Sequence, residues 1–318
     1  MTNRSDLPLL HLGDDLEPPA IHCFGRDAMA TTFEIFIGGQ DAAYAEQAAL
    51  EALDEIARIE EELSRFIPSS DIAQINALEV GETWKLGIDA YECLRLAKQM
   101  YEATAGVFDA GAGSDASIES LQLDEDAMSC TVVSKGLRID LGGIGKGYAL
   151  DRAADMLRDW SIDSALLHCG QSTALALDTP SGEPGWNISI RDPRNHTLRL
   201  ARLRLCNRAL SGSGVFLHGQ HIIDPRTREP AQAQEGAWSL ASSAAIADAL
   251  STALMVMQPD EMDTYFAAHH SHSGLVLPRN SDTFMRWGRW GQWQLSDEED
   301  ADAYEETDEE PTDEEGHG

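Results

Sequence analysis

Basic residues are scarce in this sequence: 23 Lys and Arg stand against 55 Asp and Glu, for a formal net charge of -32 over 318 residues. So acidic a chain repels phosphate backbones, which excludes nucleic acid as its expected partner. Long apolar runs are missing too, with no stretch of about 18 apolar residues, so no membrane span is expected. The opening MTNRSDLPLLHLGDDLEPP lacks the apolar core of a signal peptide. The five cysteines (Cys23, Cys93, Cys130, Cys169 and Cys206) are odd in number and form no C-x-x-C pair. They read as free thiols in a reducing compartment, with no metal site among them, and the cytoplasm is the expected location. No internal repeat is present.

What is there divides into three parts. Residues 1–20 read as a flexible leader and 21–295 as one domain. Residues 296–318 (SDEEDADAYEETDEEPTDEEGHG) contain no Lys or Arg and too little apolar surface to offset ordering, so they read as a disordered acidic tail. Within the domain, Ala28–Ile37 (AMATTFEIFI) has strand composition. Ala42–Arg65 repeats apolar residues at helical spacing, and a second helix is expected over Ile88–Thr104. Gly111–Ser120 is a small-residue loop. Strands are expected at Cys130–Val133, Leu137–Leu141, Ser164–His168, Ala174–Leu177, Trp186–Ile190 and Leu198–Leu205. Helices follow at Gly147–Trp160 and Ser239–Met257, with closing strands at Gly274–Leu277 and within Phe284–Leu295. Strands and helices alternate without βαβ regularity, which predicts an α+β (mixed α/β) domain of mixed sheets packed with helices.

Three motifs carry chemistry. Gly142-Gly143-Ile144-Gly145-Lys146-Gly147 joins the expected strand Leu137–Leu141 to a helix start, where free backbone N–H groups attract anions. It has neither the Walker A nor the dinucleotide-fold spacing. Asp248 and Thr252, four apart in SLASSAAIADALSTALMVM, share one face of an apolar helix. A carboxylate and a hydroxyl there suit a hard cation such as Mg²⁺, or a small polar pocket. His221, ahead of Asp224-Pro225, places an imidazole beside a turn, either as acid–base group or as a structural residue. His269, His270 and His272 read as loop.

In sequence order, AMATTF, ELSRFIPSSDIAQIN, AGVFDAGAG, IDLGGIGKGYALD, HIIDPRTREP and ADALSTALMV resemble the motifs of the ApbE family, the FAD:protein FMN transferases. The resemblance runs from about Met29 to Met257. It implies FAD contacts at Met29, Phe66, Val107, Phe108, Asp109, Asp140, Lys146 and Ile223. It further implies Mg²⁺ held by the Gly143 carbonyl, Asp248 and Thr252, with His221 and Asp248 as catalytic residues. The implied reaction moves FMN from FAD to a threonine of an acceptor flavoprotein and releases AMP. The same residues would serve a relative that hydrolyses FAD or only binds flavin. The chain departs from the family pattern at His168-Cys169-Gly170-Gln171, at Gly214 where a tyrosine is expected, at Arg228 where a glycine is expected, and in a short loop before His221.

Overall fold

The computed structural model describes residues 20–179, 182–214, 222–291 and 293–295. The expected leader, apart from residue 20, and the expected acidic tail lie outside the described residues. The chain begins with a hairpin, β1 (Ile21–Ala28) and β2 (Thr31–Gly38), followed by α1 (Ala42–Leu63), α2 (Asp71–Ile75), β3 (Thr83–Lys85) and α3 (Ile88–Ala103). Next come β4 (Leu121–Asp124), β5 (Ser129–Val132), α4 (Gly145–Asp159), β6 (Ala165–Cys169) and β7 (Thr173–Ala176). β8 (Trp186–Asp192), β9 (Asn195–Leu205), β10 (Arg208–Gly214), β11 (Ile223–Asp224) and β12 (Glu229–Pro230) continue the chain. It closes with β13 (Gln234–Ala241), α5 (Ala244–Leu254), α6 (Pro259–Ala268), β14 (Ser273–Pro278), β15 (Met285–Trp287) and β16 (Trp293–Leu295).

Eight strands form the central sheet in the order β1-β2-β6-β7-β10-β13-β14-β15, each antiparallel to its neighbours. Alternation along each strand gives the sheet two faces. On β2, Phe33, Ile35 and Ile37 are fully buried in the larger core, which the helices share. Leu166, Leu210, Trp238, Leu240 and Leu275 point the other way, into a second core closed by the β16-β9-β8 sheet. The domain is therefore helices, sheet and a covering ribbon, in agreement with the α+β expectation. Among the described residues no helix is long and apolar enough to cross a membrane.

Local chemistry explains the helices. Asp41 caps α1 by accepting from Ala43 N at 3.0 Å and Tyr44 N at 3.3 Å, and Ala45, Ala49, Leu53, Ile56 and Leu63 form its buried stripe. The expected bounds of this helix and of α3 match within two residues.

Three expectations need correction. The strand expected from Ala28 is interrupted at Met29 and Ala30, whose φ values of 49° and 60° make the turn between β1 and β2. Leu137–Leu141 is extended but joins no sheet beyond one bridge from Leu137 to Ala116. Its neighbour is a side chain instead: Asn76 accepts from Ile139 N at 2.6 Å and donates to Ile139 O at 2.9 Å. The helix expected from Ser239 begins only at Ala244, because Ser239–Ala241 complete β13 between β10 and β14. Ser243 then caps α5 by accepting from Ile246 N at 3.3 Å.

Candidate functional site

A cavity of about 1120 Å³ opens across the ends of β6, β7 and β10 and reaches both faces of the sheet. On the helix face, α4 starts at Gly145 directly after the glycine turn. Gly147 is required there: a Cβ would stand 2.2 Å from Ala244 O, so any side chain would force α4 off the start of α5. Asp151 locks the same crossing, accepting from Ala244 N at 2.7 Å, Ala245 N at 2.9 Å and Ser243 Oγ at 2.7 Å. Burial raises the Asp151 pKa, and these three donors offset part of the rise. Its role escaped the sequence reading, although the residue closes the IDLGGIGKGYALD motif.

Close packing of α4 on α5 sets the central group. Asp248 is 4% exposed, and among the described residues its carboxylate accepts from Gly147 N at 3.2 Å and Ser211 Oγ at 3.4 Å. Among the described residues no Lys or Arg pairs with it. A buried carboxylate held by two long hydrogen bonds and no cation is costly unless a ligand completes it. Thr252 lies one turn on, donating Oγ1 to Asp248 O at 3.1 Å. Gly143 comes so close that a Cβ there would stand 3.1 Å from Thr252 Oγ1. A chain of hydroxyls backs the carboxylate: Thr173 to Ser211 at 2.9 Å, Ser251 to Ser211 at 3.2 Å and Ser213 to Ser251 at 2.9 Å. Among the described residues no group of three His, Cys, Asp or Glu side chains is placed to hold a metal ion. A cation here would rest on one carboxylate plus neutral oxygens, which is the way Mg²⁺ is held when phosphate oxygens complete its shell.

Other expected residues line the same space. Lys146 donates Nζ to Gly142 O at 2.7 Å. Asp140 accepts from Gly142 N at 2.9 Å and pairs with Arg65 at 3.2 Å. Arg65 also sits 4.6 Å above the ring of Phe66, which is 77% exposed at the rim. Val107 and Phe108 form a buried wall, with Phe108 N donating to Thr104 Oγ1 at 2.9 Å. Asp109 turns one oxygen to its own loop, accepting from Gly111 N at 2.7 Å and Ile118 N at 2.9 Å. Burial raises its pKa, partly offset by those two donors. Ile223 enters from β11, whose turn is held by Arg226 donating to both carboxylate oxygens of Asp224 at 2.9 Å. That guanidinium, working against burial, lowers the Asp224 pKa.

Two expected residues are not brought to this cavity. Met29 sits in the β1–β2 turn and does not line it. His221 lies outside the described residues. The sequence reading missed the wall on the other face of the sheet, where Ile188, Ile190, Leu210 and Trp238 meet. His168, singled out in the sequence only as a departure from the family pattern, lines the cavity and faces Glu34 across β2 and β6 at 3.4 Å. Burial lowers the His168 pKa and Glu34 counteracts it. His269 and His272 stack with Tyr265 instead, at centroid distances of 4.2 and 6.0 Å, and neither lines the cavity.

The model of the ApbE family matches residues 29–276. The chain belongs to the ApbE family. Its sequence is similar to the FAD:protein FMN transferase of Treponema pallidum, 34% identical over 142 residues that cover 38% of each chain. It is also similar to the FAD:protein FMN transferase of Escherichia coli, 26% identical over 161 residues covering 48% of this chain and 45% of the relative. The chain thus spans less than half the length of these two curated relatives. The fold matches further: the ApbE protein of Thermotoga maritima superposes with a TM-score of 0.75 at 23% identity, covering 84% of this chain and 97% of that one. The flavin transferase ApbE of Vibrio cholerae gives a TM-score of 0.73 at 20% identity, covering 85% and 97%.

Proposed function

We propose that this ApbE-family chain is an FAD:protein FMN transferase, moving FMN from FAD to a threonine of an acceptor flavoprotein and releasing AMP. One observation carries the reading. Asp248, buried with no Lys or Arg paired to it among the described residues, shares a cavity with Thr252, Gly143 and the helix start bearing Lys146. Such a group of oxygens beside a helix N-terminus and an ammonium fits a metal-bound pyrophosphate.

Asp248, Thr252 and the Gly143 carbonyl would hold Mg²⁺, which would supply charge neutralisation at the pyrophosphate. Lys146 sits at the α4 N-terminus, where its charge and the helix dipole both favour the FAD phosphates. Phe66 offers a ring face at the rim, and Val107 and Phe108 keep water from the inner wall. In the transfer, the threonine hydroxyl oxygen forms a bond to the FMN phosphorus while the bond from that phosphorus to the bridging oxygen breaks. AMP departs with that oxygen, and His221 takes the hydroxyl proton. All five thiols are free, which suits a reducing, cytoplasmic setting.

The test is intact-mass analysis of an acceptor flavoprotein incubated with the chain, FAD and Mg²⁺. An FMN adduct that disappears with EDTA, and that a threonine-to-valine acceptor does not form, supports the reading. Release of AMP and FMN with no adduct on a competent acceptor would instead make water the acceptor.

A further inference from the structure

Charge is spread unevenly over the fold. The chain as a whole carries 55 acidic and 23 basic residues, yet the β8–β9 hairpin, Trp186–Leu205, holds five arginines (Arg191, Arg194, Arg199, Arg202 and Arg204) and one acid, Asp192. One side of the hairpin is apolar, with Trp186, Ile190, Ala201, Leu203 and Leu205 in the ribbon core. Alternation turns Arg202 and Arg204 to the other side, where they are exposed, as is Arg191. Arg194 pairs with Asp192 and Asp282 at 2.8 Å each, and Arg204 with Glu183 at 3.1 Å. Arg191 and Arg199 stand directly opposite each other across the two strands. Like charges so placed repel, and carboxylates beside both relieve the repulsion.

The chain itself brings carboxylates to this place. β16 pairs antiparallel with β9, Trp293 opposite Leu203 and Leu295 opposite Ala201. It therefore heads toward the β8–β9 turn. Arg199 stands two residues beyond Ala201 in that direction, with Arg191 across from it. The sequence after Leu295 reads Ser296, Asp297, Glu298, Glu299, Asp300, and 13 of the 23 residues from 296 to 318 are Asp or Glu. At about 3.5 Å per residue these first acids reach both arginines without a detour. β16 covers only Ala201–Leu203 of β9, and among the described residues no other strand pairs along that edge toward Asn195.

We propose that residues 296–318 dock on the arginine face of their own β8–β9 hairpin, at Arg191, Arg199 and Arg202. Charge complementarity selects the occupant, and tethering selects the same copy. A segment joined to β16 is held near its site at an effective concentration in roughly the millimolar range, which favours it over a free partner of equal charge. Arg191 and Pro193 also line the cavity, so the docked segment borders its ribbon-side rim. The interaction does not depend on which reaction the cavity supports. Because the arginines lie at the surface, it weakens as salt screens them.

Cleavage of the full-length chain by a glutamyl endopeptidase, followed by intact mass, tests the docking. In low salt, cuts within 296–318 should come about tenfold faster in Arg191→Glu/Arg202→Glu than in wild type, the effect expected of a few exposed charge pairs acting together. Arg191→Lys/Arg202→Lys should match wild type. Arg95→Glu/Arg158→Glu makes the same charge change on α3 and α4, on the helix side of the sheet, and should also match it. The wild-type chain gives a second measurement that needs no variant to fold. In about 0.5 M NaCl its cuts should accelerate relative to those of a free 296–318 peptide, which corrects for the response of the protease to salt. No such acceleration, or equal acceleration by Arg95→Glu/Arg158→Glu, would overturn the docking. Protection that fades on dilution would overturn the assignment to the same copy and make a second copy the occupant.

Discussion

The two faces of the central sheet are built from different residues for different work. The helix face at the cavity is Gly, Ala, Ser and Thr: Gly143, Gly147, Ala244, Ala245, Ser211 and Ser251 bring α4, α5 and β10 into backbone contact. The ribbon face is Leu, Ile and Trp, with Trp186, Ile190, Leu203, Leu210, Trp238 and Trp290 buried together. Small residues hold helix starts and a carboxylate at fixed distances from one another. Large residues supply apolar area and ring surface but little directional bonding.

The sharpest test of that contrast is Asp248→Ala. It should reduce Mg²⁺-dependent FMN transfer by about 10²–10³-fold or more, with an unchanged circular dichroism spectrum, because among the described residues the carboxylate has no ion pair to lose. Unchanged transfer would break the assignment of chemistry to the helix face.

Gly147→Ala comes next. Its Cβ would meet Ala244 O at 2.2 Å, so the variant should lose about 3 kcal/mol in urea unfolding. FMN transfer should fall with it, since the contact from Gly147 N to Asp248 opens. Leu203→Ala, in the ribbon core and 2% exposed, should cost about 2–3 kcal/mol. Transfer per folded molecule should nevertheless stay within about twofold of wild type. If Leu203→Ala depressed turnover as Gly147→Ala does, the two faces would not be functionally separate.

The smallest effect concerns pH. Burial raises the Asp109 pKa above its ordinary 3.8, so the folded chain holds that proton more tightly than the unfolded one. This contribution to stability is fully present below the ordinary value and is lost as pH rises through the raised one. Asp109→Asn keeps an oxygen for Gly111 N and Ile118 N but has no proton to lose. The difference in unfolding free energy between Asp109→Asn and wild type should therefore shift in favour of the variant as pH rises across this window. A constant difference would remove the desolvation assigned to this carboxyl.

Much of the helix-face site was legible because its signals are local. An apolar stripe at helical spacing announces α1. The glycine run before Lys146 announces a helix start, and a four-residue spacing puts Asp248 and Thr252 on one face. The start of α5 was not legible. Ala and Ser carry no strong period, and only pairing with β10 and β14 makes Ser239–Ala241 a strand. Leu137–Leu141 read as a strand because extended backbone and β composition look alike. Its partner proved to be the Asn76 side chain, 63 residues away in sequence.

By itself the sequence determined the family, the helix that carries Asp248 and Thr252, and the glycine turn that carries Lys146, since each depends on residues within one or two turns of each other. Only the tertiary structure decided that Gly147 must lack a side chain, that Asp248 is buried against Gly147 N and Ser211, and that Trp238 lies over Gly212 and Gly236 on the far side of the sheet. Those facts depend on which strand pairs with which and in what register. A shift of one residue would have turned Trp238 toward α5 and Ser239 away from it.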